Sequence, residues 1–189
     1  MRDRSELYPL KILVAGGFGV GKTTLVRALS EIEPLLTEQQ MTETSVGVDD
    51  TRAVPDKRTT TVAMDFGRIT VDDSLILYLF GTPGQSRFWF MWDELSRGSV
   101  GALVLVDLRR VDECFPAIDY FENRRIPYVI GVNTFPGAND HDEEAVRDAL
   151  ALSPETPVQW IDAREASSGL ALLVRLVEHA LSRTAPVPT

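Results

Sequence analysis

Apolar residues gather in six short runs, Leu10 to Ala15, Thr61 to Ile69, Leu75 to Phe80, Gly101 to Asp107, Pro127 to Asn133 and Pro157 to Asp162. Runs of this length predict strands. The helical patterns between most of them then predict an α/β fold with a largely parallel sheet. Val71-Asp72-Asp73-Ser74 is the exception: this polar connection has no room for a crossover helix, so its flanking strands must pair antiparallel. Leu25, Leu29 and Ile32, with Ala28 between them, predict a helix after the first strand. In the last helix Leu170, Leu173, Val174, Val177 and Leu181 fall on one face, with Arg175, Glu178 and Arg183 elsewhere, and that face is expected to pack on the sheet. Phe88, Met91, Trp92 and Leu95 also share a helical face expected in the core, which turns Trp89 and Phe90 toward either a partner surface or local packing. Glu31 to Thr60 is polar, threonine-rich and long for a connection, which points to a functional or mobile segment.

With 189 residues and 44% hydrophobic composition the chain suits one domain, 1–189, with residues 1–8 and 184–189 expected to be flexible. The net charge of −9 argues against nucleic acid or an anionic membrane as a partner held by bulk charge. The N-terminus lacks the apolar core of a signal peptide, no apolar stretch approaches ~18 residues, and the end Ala185-Pro186-Val187-Pro188-Thr189 carries no lipidation box. A cytoplasmic protein without a direct membrane anchor is expected. Cys114 is a single cysteine, so no internal disulfide forms; no His or Cys cluster suggests zinc, and His141 and His179 are expected at the surface.

The strongest chemical signal lies between the first strand and the first helix. Gly16-Gly17-Phe18-Gly19-Val20-Gly21-Lys22-Thr23 fits G-x-x-x-x-G-K-[ST]. Its glycines let backbone N–H groups close around a phosphate, Lys22 neutralises phosphate charge, the Thr23 hydroxyl is a Mg²⁺ ligand, and the helix N-terminus behind adds partial positive charge. Residues 16–23, with Thr24 after them, are therefore the candidate phosphate-binding residues.

Two further segments, Thr61-Val62-Ala63-Met64-Asp65-Phe66 and Gly81-Thr82-Pro83-Gly84-Gln85, stand where small GTPases carry their two switches, and with them the chain resembles a Ras-like small GTPase. Within that superfamily it is similar to the bacterial MglA and conservon branch. The resemblance implies a P-loop fold with a central, mostly parallel six-stranded sheet, one antiparallel strand and helices on both faces. It also implies a GTP/GDP switch with Mg²⁺ and slow hydrolysis. Thr61, four before Asp65-Phe66, matches the switch threonine that joins Mg²⁺ and the γ-phosphate, with Thr60 second. Gln85 matches the glutamine that orients attacking water, and Gly84 offers a backbone N–H to the γ-phosphate. Lys22, Thr23, Thr61 and Gln85 form the catalytic set, and Arg58 or Arg87 is the candidate charge-stabilising arginine unless a partner supplies it.

The chain also departs from that pattern. Position 81 is glycine where an aspartate holds a magnesium-bound water. Asp65 lies about 13 Å beyond Thr61 along its strand and is expected to substitute only if the strand shifts. Asn133-Thr134-Phe135-Pro136 keeps the asparagine of the guanine motif but places Pro136, without a side-chain acceptor, where an aspartate reads the base. Asp140 is better read as part of an acidic helix start than as its replacement. Asp162-Ala163-Arg164 matches Ser-Ala-Lys in its central residue, and the Ala163 N–H is expected to keep part of the guanine preference. Asn133, Thr134, Asp162, Ala163 and Arg164 complete the nucleotide-binding set. The resemblance further implies roadblock-type and sensor-kinase-like partners, a GTPase-activating or exchange protein, and recruitment to the membrane through partners. A scaffold without turnover and an ATP-binding variant are the alternatives; a small-molecule kinase lacks an evident arginine-rich lid.

Overall fold

A computed structural model describes residues 7–33, 35–42, 59–84, 90–136 and 141–184, with the backbone alone for 35–42, 59–63 and 184. The elements run β1 (Tyr8–Gly16), α1 (Lys22–Leu29), β2 (Leu35–Thr42), β3 (Thr59–Thr70), β4 (Leu75–Gly81), α2 (Phe90–Ser96), β5 (Ser99–Val106), a 3₁₀ segment (Leu108–Cys114), α3 (Phe115–Arg124), β6 (Tyr128–Asn133), α4 (Glu143–Ala149), β7 (Val158–Ile161) and α5 (Ala166–Thr184). The strands form one sheet in the order β2-β3-β4-β1-β5-β6-β7.

All six expected strands are present, and β3 alone runs against the others, since it is antiparallel to both β2 and β4. Asp72 closes the β3–β4 turn by accepting from the N–H groups of Ser74 and Leu75. The seventh strand corrects the reading of Glu31 to Thr60 as a connection only. β2 lies inside it and pairs along β3 from Leu35 opposite Phe66 to Thr42 opposite Thr59. Residues 43–58 lie outside the described ones. β1 opens at Tyr8 and α5 closes at Thr184.

The central strands are apolar on both faces because helices cover both. Ile12 and Val14 of β1 join Leu103 and Leu105 of β5 under α1 and α5, whereas Leu13 and Ala15 join Ala102, Val104 and Val106 under α2, α3 and α4. Met91 and Trp92 of α2 are buried as expected, while Phe90 is 59% exposed; Phe88 and Trp89 lie outside the described residues. Asp142 caps α4 by accepting from the Ala145 N–H, with Glu143 and Glu144 in the first turn, as an acidic helix start implies. His179 is buried rather than at the surface, and burial lowers its pKa.

The face of α5 also differs from expectation. Leu172, Leu173 and Leu176 are buried, whereas Leu170, Val174 and Leu181 are 45%, 56% and 64% exposed. Three glycines decide the rotation. A Cβ on Gly169 would lie 2.7 Å from Leu25 Cδ1, one on Gly131 2.7 Å from Leu172 Cδ2, and one on Gly101 2.8 Å from Leu176 Cδ1, so α5 settles where side chains are missing. Leu176→Ala is expected to lower unfolding stability by about 2–5 kcal/mol, whereas Val174→Ala changes it by less than about 1 kcal/mol in urea denaturation. Equal losses at the two positions would return α5 to the other face.

Candidate nucleotide-binding site

The loop between β1 and α1 is shaped by glycine. Gly16, Gly19 and Gly21 have φ of 132°, 71° and 108°, values that side-chain-bearing residues rarely adopt. Gly21 is the N-cap of α1 and brings no side chain to the first-turn N–H groups, which leaves them to an anion. Lys22 folds back into the loop and donates from Nζ to the carbonyls of Gly16 at 3.0 Å and Gly17 at 2.6 Å. Burial lowers its pKa to about 8, against the raising influence of the Asp65 and Glu113 carboxylates.

β3 supplies what β4 lacks. The register that sets Phe66 opposite Phe80 brings Asp65 level with Gly81. A Cβ on Gly81 would lie 3.0 Å from Asp65 Cβ and 3.1 Å from Asp65 Oδ2, so the space beside Gly81 already belongs to Asp65. From there Asp65 Oδ2 accepts from Thr23 Oγ1 at 2.6 Å. No strand shift is needed, which corrects the expectation from sequence: distance along β3 from Thr61 is irrelevant, because the carboxylate reaches Thr23 across the sheet. Hydroxyl and carboxylate are hard oxygen donors, the chemistry that fits Mg²⁺ when phosphate oxygens and waters complete its shell. Among the described residues no three His, Cys, Asp or Glu side chains converge.

The turn after β4 closes on the loop. A Cβ on Gly84 would lie 2.8 Å from Lys22 Nζ and 3.1 Å from the Gly17 carbonyl. Thr82 N donates to Val14 O at 2.8 Å, and Trp92 Nε1 donates to Pro83 O at 3.3 Å, so the turn is tied to both β1 and α2. Thr61 of β3 pairs with Gln40 of β2, and its side chain is not described. Arg58, Gln85, Arg87 and Asp140 lie outside the described residues. Thr24 is exposed on the first turn of α1.

At the other end of the loop, Asn133 is 6% exposed and makes a bracket. Its Nδ2 donates to Val20 O at 3.0 Å and its Oδ1 accepts from Ala163 N at 3.0 Å. The Ala163 N–H, expected to face the base, is bonded to Asn133. Thr134 Oγ1 donates to Ile161 O, and Arg164 grips the Asp162 carboxylate through Nε at 2.9 Å and Nη2 at 2.6 Å. That bidentate pair pulls the Asp162 pKa down to about 2. Pro136 follows with no side-chain acceptor.

A second unit escaped the sequence reading. Asp107, 3% exposed at the end of β5, accepts from Arg109 N, Nε and Nη2, which holds its pKa below the usual carboxylate range. Arg109 in turn stacks on Phe135, its guanidinium carbon 4.1 Å from the ring centroid. No familiar motif marks these residues. The available signal was an acidic residue ending a buried strand beside the phosphate loop, the edge where parallel sheets bind ligands.

Comparison with known proteins bears on the fold and on the family. The structure is similar to the G domain of the T. maritima FeoB iron transporter (TM-score 0.62, 17% identity, 92% of this chain and 99% of that one). It is also similar to that transporter's apo cytosolic domain (TM-score 0.64, 17% identity, 92% of this chain), of which the chain spans 64%. The FeoB G-domain of Methanococcus jannaschii aligns with TM-score 0.58 and 13% identity over 93% of this chain and 99% of that one. These likenesses show the fold. An uncharacterized protein of Methanocaldococcus jannaschii, MJ1339, is 35% identical over 126 residues, 66% of this chain and 69% of that protein. Residues 14–183, from the end of β1 almost to the end of α5, match the family described as conserved hypothetical ATP binding protein. The chain is a nucleotide-binding P-loop protein and belongs to that family.

Proposed function

We propose that the chain is a nucleotide-driven switch that hydrolyses GTP to GDP slowly with Mg²⁺. The observation that carries this reading is the convergence of Lys22, Thr23, Asp65 and Gly84 on one loop mouth. Hydrolysis needs little covalent chemistry from a protein, only placed groups and stabilised charge. Lys22 neutralises phosphate charge, and Thr23 with Asp65 would hold Mg²⁺, which supplies further neutralisation between phosphates when bound. Gln85 orients the attacking water. Gly84 packs against Gly17 and Lys22 where a terminal phosphate would enter. A triphosphate therefore displaces the turn, and the tie from Pro83 to Trp92 passes that displacement to α2.

Partners read that movement. The resemblance to the MglA and conservon branch supports roadblock-type and sensor-kinase-like proteins, a cytoplasmic location and recruitment to the membrane through them. Among the described residues no helix is long and apolar enough to cross a membrane. A second reading, an adenine nucleotide, is favoured by the Ala163 N–H already bonded to Asn133 and by the absence of a carboxylate at Pro136. The family description names ATP as well. Competition of GDP against ADP, with chromatography of nucleotide released from the denatured protein, decides between them. Preferential retention of GDP is expected, and preferential ADP retention replaces the first reading by the second.

Asp65→Ala is expected to raise the Mg²⁺ requirement and reduce phosphate release by about 10–100-fold, the size of effect seen when a metal's supporting groups are removed. Gly81→Asp alone should not help, because Asp65 occupies that space; Asp65→Gly with Gly81→Asp should recover part of the loss. Unchanged Mg²⁺ dependence in Asp65→Ala would remove Asp65 from the site. Lys22 gives a pH signature with a defined sign. Its pKa in the free protein lies near 8 and a bound phosphate raises it, so binding takes up a proton and triphosphate affinity falls as pH rises through about 8. Titration calorimetry from pH 6 to 10 should show that fall, and Lys22→Met should bind weakly with no step.

A further inference from the structure

Arg110 lies where the 3₁₀ segment leaves helical geometry, at φ −145° and ψ 56°. That break aims its guanidinium at the outside of the phosphate loop. Nη2 donates to Phe18 O at 3.0 Å, Nη1 donates to Glu113 Oε1 at 3.0 Å, and Asp107 Oδ2 lies 3.5 Å from Nη2. Glu113 presses on the same loop from below, since a Cβ on Gly17 would lie 2.5 Å from its Oε2. One short segment thus grips residues 17–19.

The consequence follows from the geometry of a peptide. In a trans peptide the C=O and N–H point in opposite directions. With Phe18 O turned to Arg110, the N–H of Gly19 points the opposite way, away from Arg110. Little else fixes that plane. The Phe18 ring is 67% exposed and contributes little packing, and Gly19, at φ 71°, belongs to the residue type freest to let the peptide rotate. Arg110 is itself paired with two carboxylates, so its effect is one of orientation more than of added charge.

We propose that Arg110 is a positioning residue for the nucleotide's phosphates, presenting the Gly19 N–H by holding the Phe18–Gly19 peptide in one orientation. The proposal rests on the nucleotide-binding reading of the loop. It extends the site beyond the phosphate-loop motif to a side chain 92 residues from Phe18 in sequence. The partnership depends on the sheet order: β5 lies beside β1, so the segment that follows it lies beside the loop that follows β1.

The test uses the full chain, its Arg110→Gln and Arg110→Lys variants, and Mg²⁺ with GTP and with ATP. Arg110→Gln is expected to weaken triphosphate binding about tenfold, the scale of one charge-assisted hydrogen bond. It should leave the thermal midpoint of the free protein near wild type and abolish the ligand-induced shift of the Gly19 amide resonance. Arg110→Lys, which retains a charged donor, should bind within about threefold of wild type and keep that shift. Wild-type binding and an unchanged Gly19 shift in Arg110→Gln overturn the proposal. The free wild-type protein gives an independent measure should Arg110→Gln not fold. A single sharp Gly19 resonance supports one peptide orientation, and exchange broadening overturns it. A wild-type chain that binds neither GTP nor ATP overturns the nucleotide reading itself, an outcome separable from the failure of Arg110 alone.

Discussion

A lysine ammonium folded back into the phosphate loop is the constraint around which the site is arranged. Removing such a charge from water costs several kcal/mol unless other groups replace the water. Two carbonyls of the loop do so, and the nearby carboxylates of Asp65 and Glu113 favour the charged form, yet burial still dominates and the pKa falls to about 8. The loop that turns these carbonyls onto Lys22 follows a path with positive φ at Gly16, Gly19 and Gly21, which glycine adopts readily. Phosphate binding replaces this internal solvation by a stronger anionic partner.

The carboxylate that serves Thr23 stands on β3, the one strand running against the sheet, and this changes how the site connects to the rest of the molecule. An acidic residue at the end of β4 would sit on the same turn as Gly84. Asp65 instead belongs to a strand that is continuous with Thr61 and is paired with β2 from Thr59 to Phe66. Whatever holds Thr23 and Asp65 together therefore also fixes the register of the β2–β3 pair against α1. Gly81 is the complement of this arrangement, since its missing side chain makes room for Asp65 and keeps β3 and β4 at normal pairing distance. The two positions form one unit of volume, and a carboxylate fits at only one of them.

Much of this was legible in the sequence, and the parts that were not have physical reasons. The phosphate loop could be read because its motif is local and each residue acts on its immediate surroundings. The parallel core strands could be read from apolar runs that need no partner to identify them. α5 could not be oriented, because Leu170, Val174 and Leu181 make as good an apolar stripe as Leu172, Leu173 and Leu176, and periodicity alone does not choose between them. The choice lies in Gly101, Gly131 and Gly169, far apart in sequence. β2 failed as a prediction for a related reason: Leu35-Leu36-Thr37-Glu38-Gln39-Gln40-Met41-Thr42 has weak alternation, and edge pairing with β3 decides its state. Asp65 was within reach. The short Asp72 turn fixes the β3–β4 register, and counting across the hairpin rather than along β3 sets Asp65 beside Gly81.

The base end of the site follows a different logic from the phosphate end. Every polar group that the sequence offered to the base has an internal partner: Asn133 joins Val20 to Ala163, Thr134 bonds Ile161, and Asp162 is clasped by Arg164. A base gains affinity here only from interactions that exceed those it breaks, so any reading through the Ala163 N–H must first displace the Asn133 side chain. That displacement would also release Val20, the residue between Gly19 and Gly21. Asn133 therefore ties the segment at Ala163 to the phosphate loop at Val20. Since each hydrogen bond to a neutral group is worth only about 1 kcal/mol net, this tie holds the loop modestly and is lost in full only when both of its bonds break.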